Sequence, residues 1–251
     1  MEHFMLQISR SLLMLFALVA LGCQPPVDIP VSAEPATRSV PPPVPDTVTT
    51  TFSAPSKAEA SFAVDEGYQL IPWAEMVVFP TAGTASQTWS AEGEELLCTG
   101  KPKCYLYTKN IFGDGTLRFD YRFDPDPTIT DPGKLAAHNT GVLLFIQEPQ
   151  AIWPKSIEVQ GKHSEMGQLR PNGGAVAVEY KDSPEIRETA RHPVGEWNSI
   201  EIVTKAGAIT ASINGQVVAV GQPGELTSGL IGLQAEGHRL RYRRLRFAPT
   251  K

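Results

Sequence analysis

The chain has 251 residues, with 22 Lys and Arg against 27 Asp and Glu, a formal charge of −5. That acidic balance gives no support to nucleic-acid binding. GxSxG, the phosphate-cradling GxxxxGK[ST], HExxH and a dinucleotide fingerprint are all missing, which sets several enzyme classes aside.

In chain order, Arg10 precedes an apolar run from Leu12 to Leu21, and Gly22-Cys23 follows at once. The run is far short of the ~20 residues a helix needs to cross a bilayer, and it reads as the apolar region of a secretory signal, residues 1–22. Ala20-Leu21-Gly22-Cys23 resembles the bacterial lipobox. That resemblance implies lipidation of Cys23 and a lipid-anchored, extracytoplasmic protein in the periplasm or cell envelope, with an ordinary cleaved signal as the alternative. Residues 23–63 read as a tether. Nine of the 22 prolines fall between Gln24 and Lys57, and such a segment buries too little apolar surface to offset its chain entropy. The ~185 residues that remain, 64–251, suit one domain with its own core.

Two cysteines remain after Cys23. Cys98 and Cys104 flank Thr99-Gly100-Lys101-Pro102-Lys103, a turn-rich stretch between short apolar pieces. A hairpin there predicts a small disulfide across its mouth, with two buried free thiols as the alternative. Metal binding by this pair alone lacks the usual ligand spacing.

The domain reads as all-β. Leu117, Phe119, Tyr121 and Phe123 alternate with Arg118, Asp120 and Arg122, the period of a half-buried strand. Further strands are predicted over 140–147, 156–160, 175–180, 198–205, 208–213, 216–220, 230–234 and 239–247. Asn214-Gly215 between two of them is a strong hairpin signal. Near the end, Arg239, Arg241 and Arg243 oppose Leu240 and Tyr242, but Leu245 and Phe247 then take the arginine face. That swap predicts a β-bulge at Arg243-Arg244. The arginine row reads as a solvated or guarded face, with anionic glycans or lipid headgroups as its functional alternative. Trp197 is expected in the core. Many short strands punctuated by Gly and Pro indicate a two-sheet sandwich or jelly roll.

An ordered set of motifs carries a resemblance. Asn139-Thr140-Gly141-Val142, then Trp153-Pro154-Lys155-Ser156-Ile157-Glu158-Val159-Gln160, then Gly195-Glu196-Trp197-Asn198, Ile213-Asn214-Gly215 and Gly232-Leu233-Gln234-Ala235-Glu236-Gly237 follow one another. Together they resemble the 3-keto-disaccharide hydrolase family over about residues 64–248. The resemblance implies a concanavalin A-like jelly-roll sandwich of two antiparallel sheets and a carbohydrate substrate. Its chemistry is hydrolysis or elimination at the glycosidic bond of a 3-keto-sugar.

That chemistry needs a base near C2, a proton donor for the leaving oxygen and positive character at the ketone oxygen. A divalent metal is one way to supply the last, and the cofactor is left open. Glu158 is the first candidate for base or metal ligand, because Ser156, Glu158 and Gln160 share a face opposite Ile157 and Val159; a solvated outer face is its alternative. His163, just beyond this strand, is the candidate acid/base partner. Asn139, Trp153, Gln160, Gln234 and Glu236 are candidate sugar contacts, Trp153 as a stacking surface. Ala235-Glu236 stands where many family members have Asp-His, a departure that counts against a metal or acid role for Glu236. A non-catalytic glycan-binding module is the second reading, and a structural interaction domain the third.

Overall fold

The computed structural model describes residues 64–149 and 151–250. The expected signal (residues 1–22), Cys23 and the expected tether lie outside the described residues. Fifteen strands are described: β1 Gln69–Leu70, β2 Val77–Phe79, β3 Trp89–Glu92, β4 Glu95–Cys98, β5 Cys104–Tyr107, β6 Gly115–Phe123, β7 Gly141–Ile146, β8 Ser156–Gln160, β9 Leu169–Asn172, β10 Tyr180–Asp182, β11 Asn198–Lys205, β12 Ala208–Ile213, β13 Gln216–Gly221, β14 Leu230–Ala235 and β15 Leu240–Pro249. The described α-helices are short, α1 Pro132–Ala136 and α2 Pro184–Ala190.

Antiparallel ladders join these strands into two sheets. One runs β10-β13-β12-β11-β6-β15-β4-β3, with β1 added on β15, and the other runs β2-β5-β14-β7-β8-β9. Period-2 alternation explains why they stack. Leu117, Phe119, Tyr121 and Phe123 of the larger sheet and Val142, Leu144, Ile157, Val159 and Leu233 of the smaller one enter a single buried cluster. The result is the jelly-roll sandwich expected of the sequence. Asn214 and Gly215, both at positive φ (48° and 82°), make the tight turn between β12 and β13.

The C-terminal swap of polarity resolves as the predicted bulge. Arg244 adopts φ 59°, and the β15–β6 register shifts between Arg243 and Arg246. The extra residue lets Leu240, Tyr242, Leu245 and Phe247 all point into the core. A second bulge falls in β7, where Phe145 has φ 58° and the register to β14 shifts between Leu230 and Gly232. Leu144 and Phe145 both face the core, and Ile146 turns to the outer face.

Three expectations are corrected. Cys98 and Cys104 are not bridged, since β4 and β5 pair in different sheets rather than with each other, and both are buried free thiols. Burial pushes the Cys98 thiol up to about 12, which keeps it protonated. Residues 175–179 form no strand. Val176 N–H is bonded to Glu225 Oε1 (3.1 Å) instead of a ladder partner, after Gly173 and Gly174 turn the chain at positive φ. Trp197 is outside the core. It lies on the outer face of the larger sheet beneath the guanidinium carbons of Arg122 (5.2 Å) and Arg243 (4.1 Å).

The arginine row is guarded. Arg241 pairs with Glu92 (2.7 Å) and Glu95 (3.1 Å), Arg243 with Asp120 (3.0 Å) and Arg239 with Asp124 (3.1 Å).

Gly115 opens β6 under the aromatic ring of Phe247. A Cβ there would overlap Phe247 Cζ and the Ala248 carbonyl oxygen, which is backbone and cannot yield. Gly115→Ala is expected to destabilise the domain by about 2–3 kcal/mol, read as a lowered denaturant midpoint at unchanged slope.

Candidate functional site

The polar face of β8 looks away from the space between the sheets. Ile157 and Val159 are core residues, so Ser156, Glu158 and Gln160 stand on the outer face of the smaller sheet. That face is not open to water: Glu158 and Gln160 are each 5% exposed and Gln234 is 2% exposed. The same face carries a second small apolar cluster, Tyr105, Leu143 and Ile146, with Phe79, Tyr107 and Leu230 packed on it. Trp153, 44% exposed, belongs to the connection between β7 and β8, yet its ring is 5.5 Å from Nζ of Lys103, next to β5. Trp153 thus reaches across the sheet and walls the face that holds Glu158.

Strand order brings the site residues together. β14 lies between β5 and β7, and β7 lies between β14 and β8. Gln234 pairs with Tyr105, Gly141 with Gln160, and Leu143 with Glu158. The absence of a side chain at Gly141 is a requirement here. A Cβ on Gly141 would strike both Gln234 Oε1 and Glu158 Oε1, so these two side chains converge in the space a larger residue would fill. Thr140 secures the strand entrance: its hydroxyl donates to the Gln234 carbonyl (2.8 Å) and lies 2.6 Å from the Tyr242 hydroxyl.

Asn172 Nδ2 donates to Glu158 Oε2 (3.0 Å). Burial nevertheless dominates and pushes the Glu158 carboxyl up to about 7. Asn172 opposes the rise, as does Arg170 more weakly, and the negative charges of Glu236 and Glu165 add to it. A carboxyl poised near neutrality suits proton abstraction at neutral pH.

Asn139 and Glu236 also meet, Asn139 Nδ2 donating to Glu236 Oε2. The backbone N–H of Asn139 donates to Nδ1 of His238 (3.0 Å), whose ring lies 4.6 Å from that of His138. His238 was not among the expected residues, although Gln234, Glu236 and His238 continue one period of two beyond β14. Tyr105 was also missed; the aromatic alternation of a short strand does not distinguish a site wall from a core. Several buried polar atoms on this face have no hydrogen-bond partner: the Tyr105 hydroxyl, Asn139 Oδ1, and both amide atoms of Gln234. Buried polar groups are normally bonded, so this concentration marks a place where water or a polar ligand would supply the missing partners.

His163 does not join Glu158. After Gln160 the chain turns through Gly161 into a 3-10 turn (His163–Glu165) anchored by His163 N–H to the His138 carbonyl. Its Nε2 is 3.0 Å from the His192 carbonyl, and the charges around it are Arg191, Glu188 and His138. The expected pairing of Glu158 and His163 as base and acid is therefore corrected, because the turn aims the imidazole toward the end of α2. Gln160 is also committed locally, its Oε1 accepting from Lys162 N–H (2.8 Å).

Among the described residues, no group of three or more His, Cys, Asp and Glu side chains is arranged to hold a metal ion. The groups around Glu158 are amides and a second carboxylate, the latter engaged with Asn139.

Burial, then His138, holds the His238 imidazole below its usual range, so it is neutral at pH 7. A histidine depressed in the folded state is protonated first in the unfolded chain, and stability is lost as pH falls through 6.5 and below. His238→Gln is expected to flatten that acid-side loss, measured as the difference in melting temperature between variant and parent from pH 7 to pH 5.

Two antiparallel sheets with a walled polar site on the outer face of one define an all-β jelly-roll domain. The model of the 3-keto-alpha-glucoside-1,2-lyase-like domain matches residues 75–248, and the chain belongs to that family. Comparison with curated proteins finds no match. Among solved structures, the chain is similar to two proteins from Parabacteroides distasonis ATCC 8503, each described as a putative glycosyl hydrolase. One has 18% identity and a TM-score of 0.52, covering 74% of this chain and 95% of its own. The other has 18% identity and a TM-score of 0.49, covering 70% and 94%. A carbohydrate binding module from Bacillus subtilis has 10% identity and a TM-score of 0.44, covering 63% and 89%.

Proposed function

We propose that the domain cleaves the glycosidic bond of 3-keto-glycosides, with Glu158 as the general base. The observation that carries this reading is the Glu158 carboxyl itself: nearly buried, poised near neutrality, and beside an amide with both ends unbonded. A ketone at C3 acidifies the hydrogen on C2. Glu158 accepts that proton, the C–H electron pair becomes the C2=C3 bond of an enolate, and the negative charge passes to the C3 oxygen. When the ketone re-forms, the pair shifts to C1=C2 and the C1–O bond breaks. The departing oxygen takes back a proton from Glu158. Water adding across C1=C2 completes a net hydrolysis, and release before that step makes the reaction a lyase.

Membership of the lyase-like family supports this chemistry. It differs from that of ordinary glycosidases, where two carboxylates flank an oxocarbenium-like state. The exposed Trp153 ring supports sugar stacking, and that same ring is the observation favouring the second reading, a binding module without turnover. The decisive test incubates the purified domain with a 3-keto-disaccharide and with its unoxidised parent. Release of the free sugar from the oxidised substrate alone, lost in Glu158→Gln, is expected. Retention of either sugar without cleavage assigns the module instead.

Lipid anchoring through Cys23 belongs to the same proposal, and is tested by incorporation of labelled palmitate that Cys23→Ser abolishes.

A further inference from the structure

We infer that the side-chain amide of Gln234 is the group that recognises the oxidised carbon and carries the enolate charge in place of a metal ion. This rests on the reading above and names the group that reading leaves open. Gln234 is 2% exposed, and neither its Nε2 nor its Oε1 has a partner. An amide kept dry and unbonded at both ends is costly unless a ligand completes it.

Its location matches the chemistry. C2 and C3 are bonded to one another, so the base that removes the C2 proton and the donor that holds the C3 oxygen must be neighbours. Glu158 and Gln234 are neighbours of that kind, their terminal oxygens meeting in the space left by the missing side chain of Gly141. With neither end bonded, the Gln234 amide turns its N–H toward the ligand without breaking a contact. The strand itself is held, since the Gln234 carbonyl accepts from Thr140 Oγ1 (2.8 Å). A preorganised donor of this kind strengthens its bond as charge collects on the ketone oxygen. The unoxidised sugar has a hydroxyl at C3 and no acidic C2 hydrogen, so the same donor separates the two substrates by reactivity. The described residues present no metal-binding cluster that would compete for this role.

The test measures two rates on a 3-keto-disaccharide: release of the leaving sugar, and exchange of the C2 hydrogen with deuterium oxide followed by NMR. Gln234→Met keeps the length and removes the donor. It is expected to lower kcat and the C2 exchange rate together by about 10²–10³-fold, with KM changed less than threefold. Wild-type turnover is expected to be unaffected by a chelator. A kcat within threefold of wild type in Gln234→Met overturns the inference. So does a rise in KM alone, or wild-type activity removed by chelator and restored by a divalent metal. Should Gln234→Met not fold, Gln234→Leu decides: it is branched but still fills the site without a donor, so wild-type kcat in that variant overturns the inference. Failure of the underlying reading looks different: wild-type protein then turns over no 3-keto-glycoside, or Glu158→Gln retains full activity.

Discussion

Glu158→Gln is expected to make the domain more stable above pH 7 while removing its activity. The sign follows from the environment of the carboxyl. Its pKa rises from 4.5 to about 7 on folding, with burial as the main cause. The folded state therefore holds the proton more tightly than the unfolded chain does. Stability contributed by this group is fully present below pH 4.5, falls as pH rises through the interval to about 7, and is gone above it. At pH 8 the native fold pays to keep an ionised carboxylate nearly dry, a cost of about 3 kcal/mol. Glutamine retains an oxygen to accept from Asn172 Nδ2 and carries no charge. Urea unfolding of the two proteins should therefore give free energies that coincide near pH 4 and separate to about 3 kcal/mol at pH 8. In the wild type, kcat/KM should climb with pH through about 7 as the base deprotonates. Equal stability of the two proteins at pH 8 would mean that the carboxyl is hydrated.

Arg187→Ala is expected to be the most damaging single change away from the site. Arg187, on α2, is 2% exposed. Its Nε donates to the Met166 carbonyl (2.6 Å), and its guanidinium forks onto the carboxylate of Asp182. One side chain thus ties α2 to β10 and to the turn that leaves β8. Truncation leaves the Met166 carbonyl unbonded and Asp182 without its cation, at a cost of about 3–5 kcal/mol. Arg187→Lys is expected to recover only part of this, because an ammonium cannot match the planar fork. Denaturant midpoints for the two variants check the ordering. A midpoint for Arg187→Ala within experimental error of wild type would show that the buried fork contributes no net stability.

Much of the fold was legible in the chain because period-2 alternation is local. The order Ser156-Ile157-Glu158-Val159-Gln160 divides polar from apolar side chains whatever the strand later pairs with, and β8 occupies those five residues. The bulge at Arg243-Arg244 was legible for the same reason: the hydrophobic residues change sides, and only an inserted residue can reconcile them with one core. Asn214-Gly215 specified its turn through backbone conformations open to few residue types.

What the sequence by itself determined is which side chains share a face; only the tertiary structure decided what each face meets. Alternation placed Glu158 beside Ser156 and Gln160. Strand order supplied Gln234, and the fold brought Glu236 close enough to push the Glu158 pKa upward. The same rule accounts for the departures. Cys98 and Cys104 are close in sequence, but their strands leave for opposite sheets. His163 follows Glu158 closely, yet one turn aims it elsewhere. Trp197 has the hydrophobicity of a core residue and lies instead among arginines on an outer face. Burial and long-range pairing are properties of the assembled sheets, and the pKa of a carboxyl depends on both.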